Sequence, residues 1–146
     1  MPIIYVIQTI KKIYPNSVIL VKVGMFYNVY GRDSYILSYL FGYQLKQFQD
    51  TYMCGFPSES ISKVMAKLEN KKINYLIVDR RNNYDVYEKI ENGNLNEYEK
   101  NFEKAKEYIK SKKHVEKIYK YLLQNLNNRN LINNIEKVIA NEGRKV

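Results

Sequence analysis

Two short apolar runs constrain this chain most: SVILVKV at residues 17–23, closed by Gly24, and INYLIVDR at residues 73–80. Both are rich in β-branched residues, and both are mostly apolar instead of alternating with polar positions. That is the pattern of a strand covered on both faces. Helical segments lie between the runs. Ile3, Ile7, Ile10 and Ile13 or Tyr14 recur at helical spacing over residues 3–14, and Pro15 with Asn16 ends that segment. A second helix starts at Gly31 and Asp33, runs through about Leu40, and stops at Gly42. A third opens after Pro57, with Ser58 or Ser60 as N-cap and Ile61, Val64, Met65 and Leu68 as its apolar face. FYNVY, YQLKQF and TYMCGF read as further strands, the last two around a turn at Gln49 and Asp50. YDVYEKI returns as a hairpin strand after Asn82 and Asn83. The expected fold class is α/β, of the α+β kind: a mixed β-sheet with flanking helices.

Beyond residue 94 only helical spacing remains. Leu95, Tyr98, Phe102, Ala105 and Ile109 step by threes and fours, and Val115, Ile118, Leu122 and Leu126 do so again. The phase slips at SKKH, which predicts a kink or break there. NNRN separates a last helix with Leu131, Ile135, Val138 and Ile139 on one face, and Gly143 stands where it should stop. The expected organisation is an α/β domain over residues 1–93 and a helical C-terminal extension over 94–146, packed on it.

The 146 residues suit one domain with its own core. No apolar run approaches the ~20 residues of a membrane span, so no membrane association is expected. MPIIYVIQTIKKIYP shows neither a basic leader pattern nor a small-residue cleavage site, so no signal peptide is expected. Cys54 is the only cysteine, which excludes an internal disulfide and fits a cytoplasmic setting. The net charge of +9 is the footprint of a nucleic-acid binder, although a bias towards Lys, Asn, Ile and Tyr would raise the lysine count by itself.

Catalytic signals are poor. His114 is the only histidine and stands among lysines, with no base or nucleophile placed beside it. No cluster of His, Cys or carboxylates has metal-ligand spacing, and no phosphate-binding loop occurs. A nuclease would need clustered carboxylates on adjacent strand ends. Asp79 and Asp85, with Lys89 after them, come nearest but lack a third acid. No enzyme activity, metal or cofactor is expected.

The stretch ILVKVGMFYNVYG resembles the start of the mismatch-recognition domain of the MutS family of DNA mismatch-repair proteins. In that family a strand leads into Gly-Asp-Phe-Tyr-Glu. A second block, MCGFPSESISKVMAKLENKKINYLIVDR, agrees in order, with Gly55, Pro57, Ala66, Lys67 and Leu68 on matching positions. The resemblance covers about residues 3–80. It implies a MutS N-terminal-like fold, DNA as partner (a mismatched or distorted duplex), and Phe26 as the ring that enters the minor groove and stacks on a base. Such a wedge partly unstacks a base step, at a cost of roughly a few kcal/mol. Tyr27 would support or stack beside it, and Asn28 would offer hydrogen bonds to a base edge. Lys22, Lys46, Lys63 and Lys67 are candidate phosphate contacts.

Three departures qualify the resemblance. Asn28 stands where the family has glutamate, Met25 where it has aspartate, and Ser58-Glu59 where it has Tyr-His. A glutamate is repelled by phosphates except where a base offers it a proton, so the neutral Asn28 weakens discrimination against matched duplex. The family's clamp and ATPase domains do not fit within this length. A second reading is therefore an accessory protein that docks a nucleic-acid-processing partner through its C-terminal helices, with Tyr98, Phe102, Tyr108, Tyr119 and Tyr121 as contacts.

Overall fold

A computed structural model describes residues 2–90 and 95–144. The chain divides into two compact units, Met1–Ile109 and Lys110–Val146. The expected boundary at 93/94 falls within residues 91–94, outside the described residues. The division comes instead inside a long helix.

The first unit runs α1 (Ile3–Ile13), β1 (Ser17–Val23), β2 (Phe26–Tyr30), α2 (Arg32–Phe41), β3 (Lys46–Phe48) and β4 (Thr51–Pro57). A 3₁₀ turn at Ser58–Ser60 leads into α3 (Ile61–Asn70), then β5 (Asn74–Asp79), a second 3₁₀ turn at Arg80–Asn82, and β6 (Asp85–Ile90). The first part of α4 (Leu95–Gln124) completes it. The six strands form one sheet in the order β3-β4-β2-β1-β5-β6. β1 and β5 pair in parallel, and the other neighbours are antiparallel. The two apolar runs are thus the adjacent central strands, buried almost throughout.

Side chains alternate between the two faces of a strand. On one face, Ile19, Val21, Tyr30, Leu76 and Val78 pack against Ile7 and Ile10 of α1. On the other, Leu20, Tyr27, Val29 and Phe56 meet Leu37 of α2, Leu68 of α3 and Tyr98 of α4. The expected mixed sheet with flanking helices is what forms. Ser60 occupies the N-cap of α3 but makes no side-chain capping bond, because it is itself the last residue of the 3₁₀ turn and lacks the extended backbone of a capping residue.

One buried carboxylate ties the layers together. Asp33, in the first turn of α2, accepts hydrogen bonds from Lys11 Nζ of α1 at 2.8 Å, the Ile19 N–H of β1 at 3.0 Å, and the Tyr98 hydroxyl of α4 at 2.5 Å. Burial, then the Asp33 charge and this hydrogen bond, push the Tyr98 phenol up, so it stays a neutral donor. A buried charge demands partners of this kind. The sequence marked Asp33 only as a helix start.

The second unit holds the rest of α4 and α5 (Arg129–Arg144). No break occurs at SKKH: α4 is continuous to Gln124. That segment contains no Gly or Pro, so a change of apolar phase rotates the stripe without interrupting the helix. Asn128 caps α5, its Oδ1 accepting from the Leu131 N–H at 3.1 Å. α5 continues through Gly143 to Arg144 instead of stopping there. Among the described residues no helix is long and apolar enough to cross a membrane.

Candidate nucleic-acid interface

The hairpin between β1 and β2 turns on two residues, Gly24 and Met25. Gly24 has φ +61° and Met25 has no positive φ. A positive φ at the first central position alone is the type II′ pattern, which glycine accommodates without strain. Register pairs Val23 with Phe26, so Phe26 leaves the turn as the first strand residue. The Ser58 N–H donates to the Met25 carbonyl at 2.8 Å, which pins the tip to the segment entering α3. The tip is thereby held from both sides, and Phe26 is 56% exposed on it.

Strand alternation separates the neighbours of Phe26. Tyr27, expected to stack beside it, is only 4% exposed and faces the opposite side. It lies in an aromatic stack that runs Tyr27–Phe56–Tyr43–Phe41, with centroids 5.3–5.4 Å apart and planes within 14°. Tyr27 therefore anchors β2 from beneath and offers no surface to a ligand. Asn28 shares the face of Phe26 and is half-buried, with its Nδ2 3.4 Å from the Tyr30 hydroxyl. Across the ladder Asn28 pairs with Gly55. A Cβ at Gly55 would meet Asn28 Oδ1 at 2.9 Å, so the missing side chain there makes room for the amide. Burial raises the Tyr30 phenol above its ordinary value, against the lowering effect of Asn28.

The lysines scatter. Lys46, on the edge strand β3, pairs with Met53, which packs on the α1 side, and so shares the Phe26 face. Lys22 pairs with Tyr27 and points to the other face. Lys63 and Lys67 are exposed on α3, which packs on that same other face. Lys67 Nζ sits 5.5 Å from the Phe41 ring, a cation–π contact with the aromatic stack. Three of the four expected phosphate contacts are therefore away from the Phe26 face.

The structure brings in arginines instead. Because β1 and β5 run parallel, the residues after β5 emerge at the same end of the sheet as the hairpin tip. Arg80 and Arg81 begin the 3₁₀ turn there. Asp79, the nearest acid in the nuclease reading, spends its Oδ1 on the Arg81 N–H at 2.8 Å. The side chains of Asp85 and Lys89 lie outside the described residues. Arg80 and Tyr84 line a groove of about 420 Å³ with Asn28, Tyr30, Phe48 and Pro2. It lies on the α1 face, along β2 from Phe26.

Elsewhere, Cys54 is fully buried, its Sγ 3.7 Å from the Ser34 carbonyl, and burial pushes the thiol up to about 12. His114 is exposed. Of the aromatics suggested for partner docking, Tyr98 is core, Phe102 packs on the core, and Tyr119 and Tyr121 are exposed.

A mixed sheet with flanking helices is the architecture the resemblance implied. Residues 1–99, more than half of the chain, match the family MutS domain I, and the chain belongs to that family. The matched span ends inside α4, past Tyr98, so the residue that closes on Asp33 lies within the family region. No curated protein matches the chain.

Proposed function

We propose that this protein binds duplex DNA where stacking is already weakened, at mismatched or distorted steps, using the β1–β2 tip as a wedge. The observation that carries this is the exposed Phe26 ring on a turn fixed by Gly24 and by the Ser58-to-Met25 hydrogen bond, with the Asn28 amide on the same face. A wedge must not collapse into its own domain, and the stack under Tyr27 holds β2 so that Phe26 faces outward. A poorly held base lowers the cost of unstacking, which directs the ring to distorted sites. Arg80 and Arg81 supply positive charge at the tip end of the sheet, Lys46 adds charge farther along the same face, level with Tyr30, and the +9 net charge favours approach to phosphates.

The proposed action is binding, without chemistry on the DNA. Two placements support this: the only thiol is buried and raised to about 12, and the nearest strand-end carboxylate is committed to a backbone N–H. A cytoplasmic location, with no cofactor, belongs to the same proposal.

The test is a titration of matched, mismatched and single-stranded DNA at two salt concentrations. Log affinity should fall linearly with log salt, by about 0.9 per phosphate contact, and a mismatched duplex should bind more tightly than a matched one. Absence of binding to any of the three at low salt would refute the reading.

A further inference from the structure

We infer that the C-terminal helical unit is a docking groove for an acidic amphipathic helix of a partner protein. This is independent of the DNA reading, since it rests on Lys110–Val146 alone. The two helices of that unit leave an open groove of about 540 Å³ between them, lined by Ile118, Tyr121, Leu122, Leu131 and Ile135 together with His114 and Lys117. The apolar stripes extend beyond the groove: Val115 on α4 and Val138 and Ile139 on α5 are each more than 60% exposed. Counted outward from the Asn125–Asn128 turn, Val115 lies level with Val138. The stripes thus continue toward the open end of the hairpin. Side chains of this size in water are a cost that a covering partner removes.

Charge selects the occupant. Residues 110–146 hold nine Lys or Arg against three Glu, a net +6 of the chain's +9. A second copy would bring +6 against +6 across the same groove, and like charge opposes that pairing. A phosphate backbone would satisfy the lysines but leave the isoleucines and valines in water. A helix with apolar residues at i, i+3, i+4 and i+7 and carboxylates on its flanks satisfies both, which is the helix-in-groove mode of recognition.

The test uses the full chain and two synthetic labelled peptides with the same leucine spacing, one with glutamates on the remaining face and one with lysines. Fluorescence anisotropy near physiological salt should show the glutamate peptide binding at least tenfold more tightly. Ile118→Asp should weaken it tenfold or more, and Lys117→Glu severalfold. Circular dichroism and melting should be unchanged in both variants, because both residues are at the surface. Equal binding of the two peptides, or unchanged binding to Ile118→Asp, would overturn the proposal. So would a dimer in sedimentation that Ile118→Asp dissociates, which would make a second copy the occupant. Tighter binding to phosphatidylserine vesicles than to the glutamate peptide would likewise overturn it in favour of a lipid surface.

Discussion

Besides Tyr5 and Ile13 on α1, two regions among the described residues leave large apolar side chains in water, and they do so differently. At the β1–β2 tip the exposure is confined to Met25 and Phe26, on a two-residue turn held by a hydrogen bond from Ser58. In the C-terminal helices it is a stripe at helical spacing, from Val115 and Ile118 to Val138 and Ile139, framed by lysines. A single ring on a rigid turn suits insertion between flat surfaces, as between base pairs. An extended stripe suits burial against another stripe. Exposure alone does not state a function; its shape and the rigidity under it do.

The largest expected effect separates the regions by truncation. A chain ending at residue 94 loses Tyr98, Ala105 and Ile109 from the core and the hydroxyl donor to Asp33, and should not fold cooperatively. A chain ending at Ile109 keeps all of these and should melt as one transition. Circular dichroism melts of both decide it. If the shorter chain melts like the longer one, α4 is not part of the domain.

Next in size is the contrast between adjacent residues of β2. Tyr27→Ala should destabilise by about 3–5 kcal/mol through lost transfer and a cavity, and Phe26→Ala by no more than about 0.5 kcal/mol, as at a surface site. Urea unfolding measures both, and equal losses would place Phe26 in the core. Tyr98→Phe comes third. It removes a donor from the buried Asp33 carboxylate and should cost about 1–3 kcal/mol. Smallest in stability is Gly55→Ala. Its Cβ would displace the Asn28 amide, 2.9 Å away, so the mismatch preference should change while the unfolding midpoint moves little. An unchanged preference would remove Asn28 from the interface.

The sheet was legible because its apolar runs have strand composition and its helices have clean periods. What stayed hidden depends on three-dimensional adjacency. Nothing local distinguishes Phe26 from Tyr27. Only strand pairing, with Phe56 opposite Tyr27, assigns one inward and one outward. Arg80 and Arg81 are visible in the sequence as DRRNNY, but their nearness to the tip follows from the parallel pairing of β1 with β5. The lysines on α3 looked equivalent to Lys46 until the face that α3 covers was known. The role of Asp33 required knowing that residues 11, 19 and 98 converge on it. The smooth passage of α4 through SKKH shows that a slipped apolar phase is weak evidence for a break when no helix-breaking residue accompanies it.

The most direct test of the wedge is a paired measurement on Phe26→Ala: its urea unfolding and its affinity for a mismatched duplex, each beside the unaltered chain. Stability should hold within about 0.5 kcal/mol, while affinity for the mismatch should weaken by roughly 1–3 kcal/mol, the usual worth of one base–aromatic stack. Unchanged affinity with intact folding, or a loss of stability in place of binding, would contradict the claim that this hairpin reads DNA.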